Sequence, residues 1–150
     1  MAVGKINSRD WVFVISDGLA TPTWVQIGGI NEHKLSLSEN EETADTTDYA
    51  SQGNYEGQVM QRGGKLEIIG FQLLDDVTAA PDPGQGMVET VGTLVGTGSL
   101  RQIRFRHVLM ATWKVWTAFV SLGEQGGNHN AKGSWSATFT RSGASSTMAV

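Results

Sequence analysis

The sequence predicts a mainly β protein, a β-sandwich or barrel of about seven or eight strands with one flanking α-helix. Three observations carry this. Apolar and polar residues alternate with period two over several short segments bounded by Gly, Pro and Asp. Glycine supplies 19 of 150 residues, where the usual share of about 7% would give roughly ten. Only one segment carries apolar residues at helical spacing, and charged residues are 17% of the chain against a usual ~25%.

The first strand is Trp11 to Ile15, apolar on both faces; Asp17-Gly18 and Thr21-Pro22-Thr23 end it. Trp24 to Ile27 forms a short strand leading into Gly28-Gly29. His33 to Ser38 alternates, with Leu35 and Leu37 on one face and Lys34, Ser36 and Ser38 on the other. The pattern then changes over residues 39–64. Ser38 to Asp48 carries five acids and no base and continues into Tyr49–Gly57. Nothing in it has the periodicity to bury a face, so it is expected to be a long inter-strand loop or an extended hairpin arm. Loops of that length in a compact domain are functional or disordered as a rule.

Lys65 to Leu74 restores a strand, with Leu66 and Ile68 opposed to Lys65 and Glu67, and Gly70 marking a bulge or a close approach. Asp75-Asp76 and Pro81-Asp82-Pro83 turn the chain. Met87, Val88, Val91, Leu94 and Val95 then predict a helix over about 84–96, with Asp82 as N-cap, Pro83 in the first turn and Gly96 and Gly98 as the stop. Gly92 within it costs about 1 kcal/mol of helix propensity. Three strands close the chain. Leu100–His107 sets Ile103 and Phe105 against Gln102, Arg104 and Arg106. Ala111–Leu122 sets Trp113, Val115, Thr117 and Phe119 against Lys114, Trp116, Ala118 and Val120, with Trp113 read as core. Ser134–Arg141 sets Trp135, Ala137 and Phe139 against Ser and Thr. Gly123–Asn130 is expected to be a mobile turn and residues 142–150 a flexible tail. There is no internal repeat and no boundary, so the expectation is one domain over 1–150.

The chemistry of the chain excludes more than it suggests. There is no cysteine, hence no disulfide and no thiolate ligand or nucleophile. A net charge of −4 and a pI near 5.3 make the chain a poor grip for nucleic-acid phosphates. The N-terminal segment has no apolar core of signal or membrane length, which predicts a soluble, cytoplasmically folded chain without a membrane anchor. His33, His107 and His129 share no ligand spacing. The acidic run lacks the spacing and central Gly of a Ca²⁺ loop. Arg62-Gly63-Gly64-Lys65 lacks the leading Gly and the trailing Ser/Thr of a phosphate loop. There is no GxSxG, and Asp75-Asp76 and Glu41-Glu42 are only sequence neighbours. No catalytic residue, metal site or cofactor is predicted, and no enzyme. Arg101, Arg104 and Arg106 are the one basic cluster. Arg104 and Arg106 share a strand face that either holds an acidic partner or solvates the sheet. Trp116, on the Lys114 side of its strand, is expected to be covered by the helix or by another subunit.

Taken in order, several segments resemble the phage major tail, or tail tube, protein of the long, non-contractile kind (siphophage type). They are Trp24-Val25-Gln26-Ile27-Gly28-Gly29-Ile30 with Leu35-Ser36-Leu37-Ser38, then Glu42-Thr43-Ala44-Asp45-Thr46-Thr47-Asp48, then Arg62-Gly63-Gly64-Lys65-Leu66-Glu67-Ile68-Ile69-Gly70-Phe71. Trp116–Ser121 and Gly133–Phe139, ending Ser142-Gly143, complete the pattern. It spans residues 10–143; between Thr78 and Gly98 only the presence of a helix is shared.

The resemblance implies a structural virion protein, assembled in the host cytoplasm into hexameric rings that stack as a hollow tube. One sheet of each subunit would join its neighbours around the lumen, through which DNA passes without sequence-specific binding. Tape measure and tail terminator or tip proteins are the implied partners. The 39–64 loop would reach an adjacent ring, which makes Glu41, Glu42, Asp45, Asp48, Tyr49, Tyr55 and Arg62 the expected inter-ring contacts. Arg104, Arg106 and Trp116 are inter-subunit candidates, and Lys65, Glu67, Ser136 and Thr138 are candidates for the lumen face. A tube protein of a contractile tail or of a type VI secretion system fits the same class. A lectin-like sandwich is a different reading, and it predicts Trp24 and Trp116 exposed together on one concave face.

Overall fold

The alternating segments pair as expected. A computed structural model of the chain describes residues 2–150. It contains β1 (Trp11–Ser16), β2 (Trp24–Gln26), β3 (Ile30–Ser36), β4 (Glu42–Asp45), β5 (Gly57–Gln61), β6 (Lys65–Phe71), α1 (Pro83–Val91), β7 (Leu100–His107), β8 (Thr112–Leu122), β9 (Ser134–Arg141) and β10 (Ser146–Ala149). Eight strands form one sheet in the order β2-β1-β7-β8-β9-β6-β3, with β10 beside β8; β4 and β5 form a separate two-stranded ribbon. Every pairing is antiparallel.

The sheet curls on itself. His33 of β3 stacks at 5.4 Å from Trp11 and 5.2 Å from Phe13 of β1, although the two strands lie near opposite ends of the strand order. The inner face carries the residues that the alternation selected: Ile103 and Phe105, Leu66 and Ile68, and Trp135, Ala137 and Phe139, all buried. Gly70 makes the close approach expected of it. A Cβ there would collide with the Gly29 carbonyl oxygen, beside a register shift between Ile30 and Glu32.

Four features correct or narrow the sequence expectation. The helix ends at Val91, not near residue 96. Thr93 and Leu94 donate back to Thr90 and Val91 (3.2 and 3.1 Å), tightening the last turn, and Val95 is extended and 88% exposed. Gly92 is the C-cap of α1 and sits where a Cβ would lie 2.7 Å from Leu122 Cγ. The second difference is the inward face of β8, which is the Trp116, Ala118 and Val120 set. Trp113 and Val115 form a smaller cluster on the outer face with Val14. Both faces of β8 are apolar, so alternation separates the two sets but cannot say which points inward.

Third, of the two forms expected for residues 39–64, an extended hairpin arm is the one present, with β4 and β5 in register from Asp45↔Gly57 to Glu42↔Gln61 across one bulge. Fourth, the tail expected to be flexible from Ser142 forms β10, with Met148 opposite Trp113. β8 is long enough to pair with β10 through residues 112–115 and with β9 through residues 118–122. Ser142 bridges the two pairings through a 2.7 Å bond to the Thr117 carbonyl. Among the described residues no helix is long and apolar enough to cross a membrane.

Candidate functional site

Among the described residues no three His, Asp or Glu side chains converge as a metal site. His107 is buried, with Leu109 N–H donating to Nδ1 (3.2 Å) and Nε2 facing the Asn7 carbonyl (3.0 Å). This pairing assigns the proton to Nε2. Burial among Trp11 and Phe13 pushes the His33 imidazole below its usual value. Asp75 closes a turn by accepting from Val77 and Thr78 N–H (2.8 and 2.9 Å), and those bonds lower its carboxyl.

What the fold builds instead is three surfaces. The first is the arm, β4 and β5 with the residues between them. The sequence-selected residues Glu41, Glu42, Asp45, Asp48, Tyr49, Tyr55 and Arg62 all fall on it or at its root. Glu41 and Arg62 pair with each other at the root, 3.4 Å apart, and Lys65 reaches Glu39 at 3.8 Å. Further out the polar groups shape the arm itself. Asp45 accepts from Thr47 N–H (2.9 Å), and hydrogen bonding from Thr47, hydroxyl first and then amide, holds its carboxyl below the usual range. Asp48 caps a 3₁₀ turn at Tyr49–Ser51 by accepting from Ser51 N–H at 3.2 Å, while its own N–H donates to Ser51 Oγ at 3.1 Å. The two tyrosines stand out from this frame, Tyr49 fully exposed and Tyr55 74% exposed. No hydrogen bond or ion pair among the described residues ties the arm beyond its root to the sheet.

The second surface is the outer face of β1, β2, β7, β10 and the first half of β8. Arg104 lies between two indoles, its guanidinium carbon 4.3 Å from the Trp24 ring and 4.5 Å from the Trp113 ring, and donates to Met148 Sδ at 2.9 Å. Arg106 lies over the Trp113 ring at 5.0 Å and donates to the Val108 and Met110 carbonyls, both at 3.1 Å. Burial, and then the neighbouring Arg106, lowers the Arg104 guanidinium. Among the described residues no carboxylate forms an ion pair with either arginine. Arg101 alternates to the other face and donates to the Ser16 carbonyl at 3.0 Å.

The third surface is the outer face of β3, β6 and β9. Register sets Glu67 opposite Thr138 and Lys34, Ile69 opposite Ser136, and Lys65 opposite Thr140 and Ser36. The residues singled out for a lumen face, Lys65, Glu67, Ser136 and Thr138, therefore do share one face. Its charges balance, and Glu32 and Lys34 pair at 3.8 Å.

Trp116 leaves the set of surface candidates. It is 2% exposed, edge-on to Phe105 at 5.1 Å and against Gly64. Its own chain covers it, through the core rather than through the helix or a neighbour. It also lies on the face opposite Trp24, so the concave Trp24–Trp116 platform of the lectin-like reading does not exist. Sequence reasoning passed over Gln85 and Glu89, the polar residues that fasten α1 to the sheet. A Gln in the first helical turn between two glycines carries no signal of burial.

No family model matches the sequence, and no curated protein matches it. Among solved structures the chain is similar to one from the tail of an empty gene transfer agent (GTA) particle refined helically with C6 symmetry. That match has a TM-score of 0.68 and 19% identity, covering 97% of this chain and 100% of the other. A chain from the virion of a native GTA particle is similar at a TM-score of 0.66 and 18% identity, again over 97% and 100%. The tail-protein resemblance carried by the sequence is therefore matched by an end-to-end likeness of fold to chains of a phage-like tail.

Proposed function

We propose that the chain is a structural virion protein, a major tail tube subunit. It assembles as six-membered rings that stack into a hollow tube conducting DNA. The observation that carries this reading is the full-length likeness in fold to a chain of a six-fold symmetric tail. It is supported by an arm that projects without a partner in its own chain. In this reading the arm contacts the next ring through Glu42, Asp45, Asp48, Tyr49 and Tyr55, while Glu41 and Arg62 brace its root.

The Ser/Thr face of β3, β6 and β9 lines the lumen. Its hydroxyls and cancelling charges present no cluster of cations to hold phosphates, so DNA slides rather than binds. Ring closure satisfies strand edges that a lone curled sheet leaves open, and a heterologous contact of fixed rotation gives closed rings. The tube would meet tape measure and tail terminator or tip proteins at its interior and ends, and would reside in the virion.

Negative-stain electron microscopy of the concentrated protein tests this directly. Hollow tubes or six-fold rings are expected, and a protein that stays monomeric at every concentration refutes the reading. Reversing Asp45 and Asp48 to Lys is expected to abolish tubes and leave the circular dichroism spectrum of the monomer unchanged. Tubes of normal length would remove the arm from the inter-ring contact.

A further inference from the structure

The two guanidiniums on the outer face are stacked but have no anion. Arg104 spends its recorded hydrogen bond on a thioether, a weak acceptor. Its Nε and that of Arg106 are buried with no partner. Arg106 spends one guanidinium nitrogen on the Val108 and Met110 carbonyls, and indole stacking orients the remaining in-plane N–H groups of both arginines without supplying an acceptor for them. The three ion pairs among the described residues all lie elsewhere, two of them at the root of the arm. The arm is the complement: from Glu42 to Gln61 it carries Glu42, Asp45, Asp48 and Glu56 and no Lys, Arg or His.

The arm of the same chain does not supply those acids: none of its carboxylates pairs with Arg104 or Arg106. It leaves the sheet between β3 and β6, and β6 lies three strands from β7 in the order. The eight residues from Glu41 to Asp48 span seven steps, about 23 Å when extended, enough to reach a neighbouring molecule.

We propose that the Arg104–Arg106 face receives the acidic arm of a second copy of this chain, with arm carboxylates pairing with the Arg104 guanidinium between Trp24 and Trp113 and with Arg106 beside Trp113. This rests on the tube-subunit reading and names the socket that the arm enters. Glu42 and Glu56 are the acids to test, because their carboxylates make no hydrogen bond among the described residues, whereas Asp45 and Asp48 also shape the arm.

The experiment is a charge swap read by sedimentation velocity and negative-stain microscopy. E42K/E56K and R104E/R106E are each expected to raise the concentration needed for assembly by about tenfold or more. The four substitutions combined in one chain are expected to restore assembly. Raising salt from about 0.05 to 0.5 M should weaken wild-type assembly, since the Debye length shrinks severalfold.

If R104E/R106E lowers the melting temperature, R104Q/R106Q replaces it; that pair removes charge and keeps a planar amide. An arginine variant that assembles like wild type, or a combined variant no better than its parents, overturns the socket and leaves the tube reading standing. Wild-type protein that never assembles overturns the tube reading first. Retention of a short DNA duplex by wild type, lost in R104Q/R106Q while assembly is unchanged, overturns the socket in favour of a nucleic-acid contact.

Discussion

The two ends of the same curled sheet treat their polar groups in opposite ways. At the end capped by α1, buried polar groups are tied to other elements. Gln85, 1% exposed, donates through Nε2 to the Gly28 and Phe71 carbonyls (2.9 and 2.8 Å) and accepts from Leu73 N–H through Oε1 (3.1 Å). Asp82 accepts from both Gly28 and Gln85 N–H (3.1 and 3.2 Å). Glu89 accepts from the Trp135 indole at 3.1 Å. At the arm end, Asp45, Asp48 and Ser51 bond only within the arm. The capped end therefore stores stability, while the arm holds a shape for a partner at little cost to the fold. A substitution at the first should unfold the chain, and one at the second should change only what it binds.

The strongest way to break this contrast is Gln85→Leu. It leaves two carbonyls and one N–H buried without partners, at about 1–3 kcal/mol each, so a loss of about 3 kcal/mol or more is expected. The urea midpoint should fall at unchanged slope; an unmoved midpoint would show that the capped end is not where stability lies. Gly84→Ala comes next. Helix propensity favours Ala by about 1 kcal/mol, but the new Cβ would collide with the Gln26 carbonyl oxygen and lie 2.5 Å from Ile27 Cα. Overpacking of that kind costs about 1–3 kcal/mol, so the net change should be destabilising, and a gain in thermal stability would refute the tight seat of α1.

His33 sharpens the comparison because it lies between the two ends, in the cleft where β3 meets β1. Its folded-state imidazole is held below the ordinary value of 6.5 by burial. The stability tied to its neutral form is thus fully present above pH 6.5 and is lost as pH falls through the folded value. Lowering the pH from about 7.5 to 5 should lower the melting temperature of wild type more than that of His33→Gln; equal slopes would show that the cleft hydrates freely. The smallest effect is expected at the arm, where Tyr49→Ala should leave unfolding free energy within about 0.5 kcal/mol of wild type. A larger loss would mean that the arm packs on its own sheet.

Much of the inner face was legible because its strands have one polar face. Leu66 and Ile68, Ile103 and Phe105, and Trp135, Ala137 and Phe139 alternate with Lys, Glu, Arg, Ser and Thr, and all of them are core. The start of α1 was legible too, since Asp82 and Pro83 act locally. Its end was not: the run to Leu94 and Val95 looks helical, but after Val91 the chain tightens into i→i+3 bonds and Val95 is extended. The arm was visible as a stretch with nothing to bury, while its β4–β5 pairing was hidden in Thr, Gln and Gly. Trp116 misled, because a strand apolar on both faces leaves the inward side undetermined.

By itself the sequence determined seven strands of the large sheet, the single helix, the acidic arm without a core pattern, and the placing of Arg104 with Arg106 on one face. Those follow from local chemistry, from period-two alternation, from turn residues and from charge. Only the tertiary structure decided that Trp116 points inward and Trp113 outward, that Arg104 is held between Trp24 and Trp113, and that the last residues pair with β8. Each of these depends on partners distant in sequence, such as Trp24 against Arg104 or Met148 against Trp113, and a chain read in order carries no record of which strands meet.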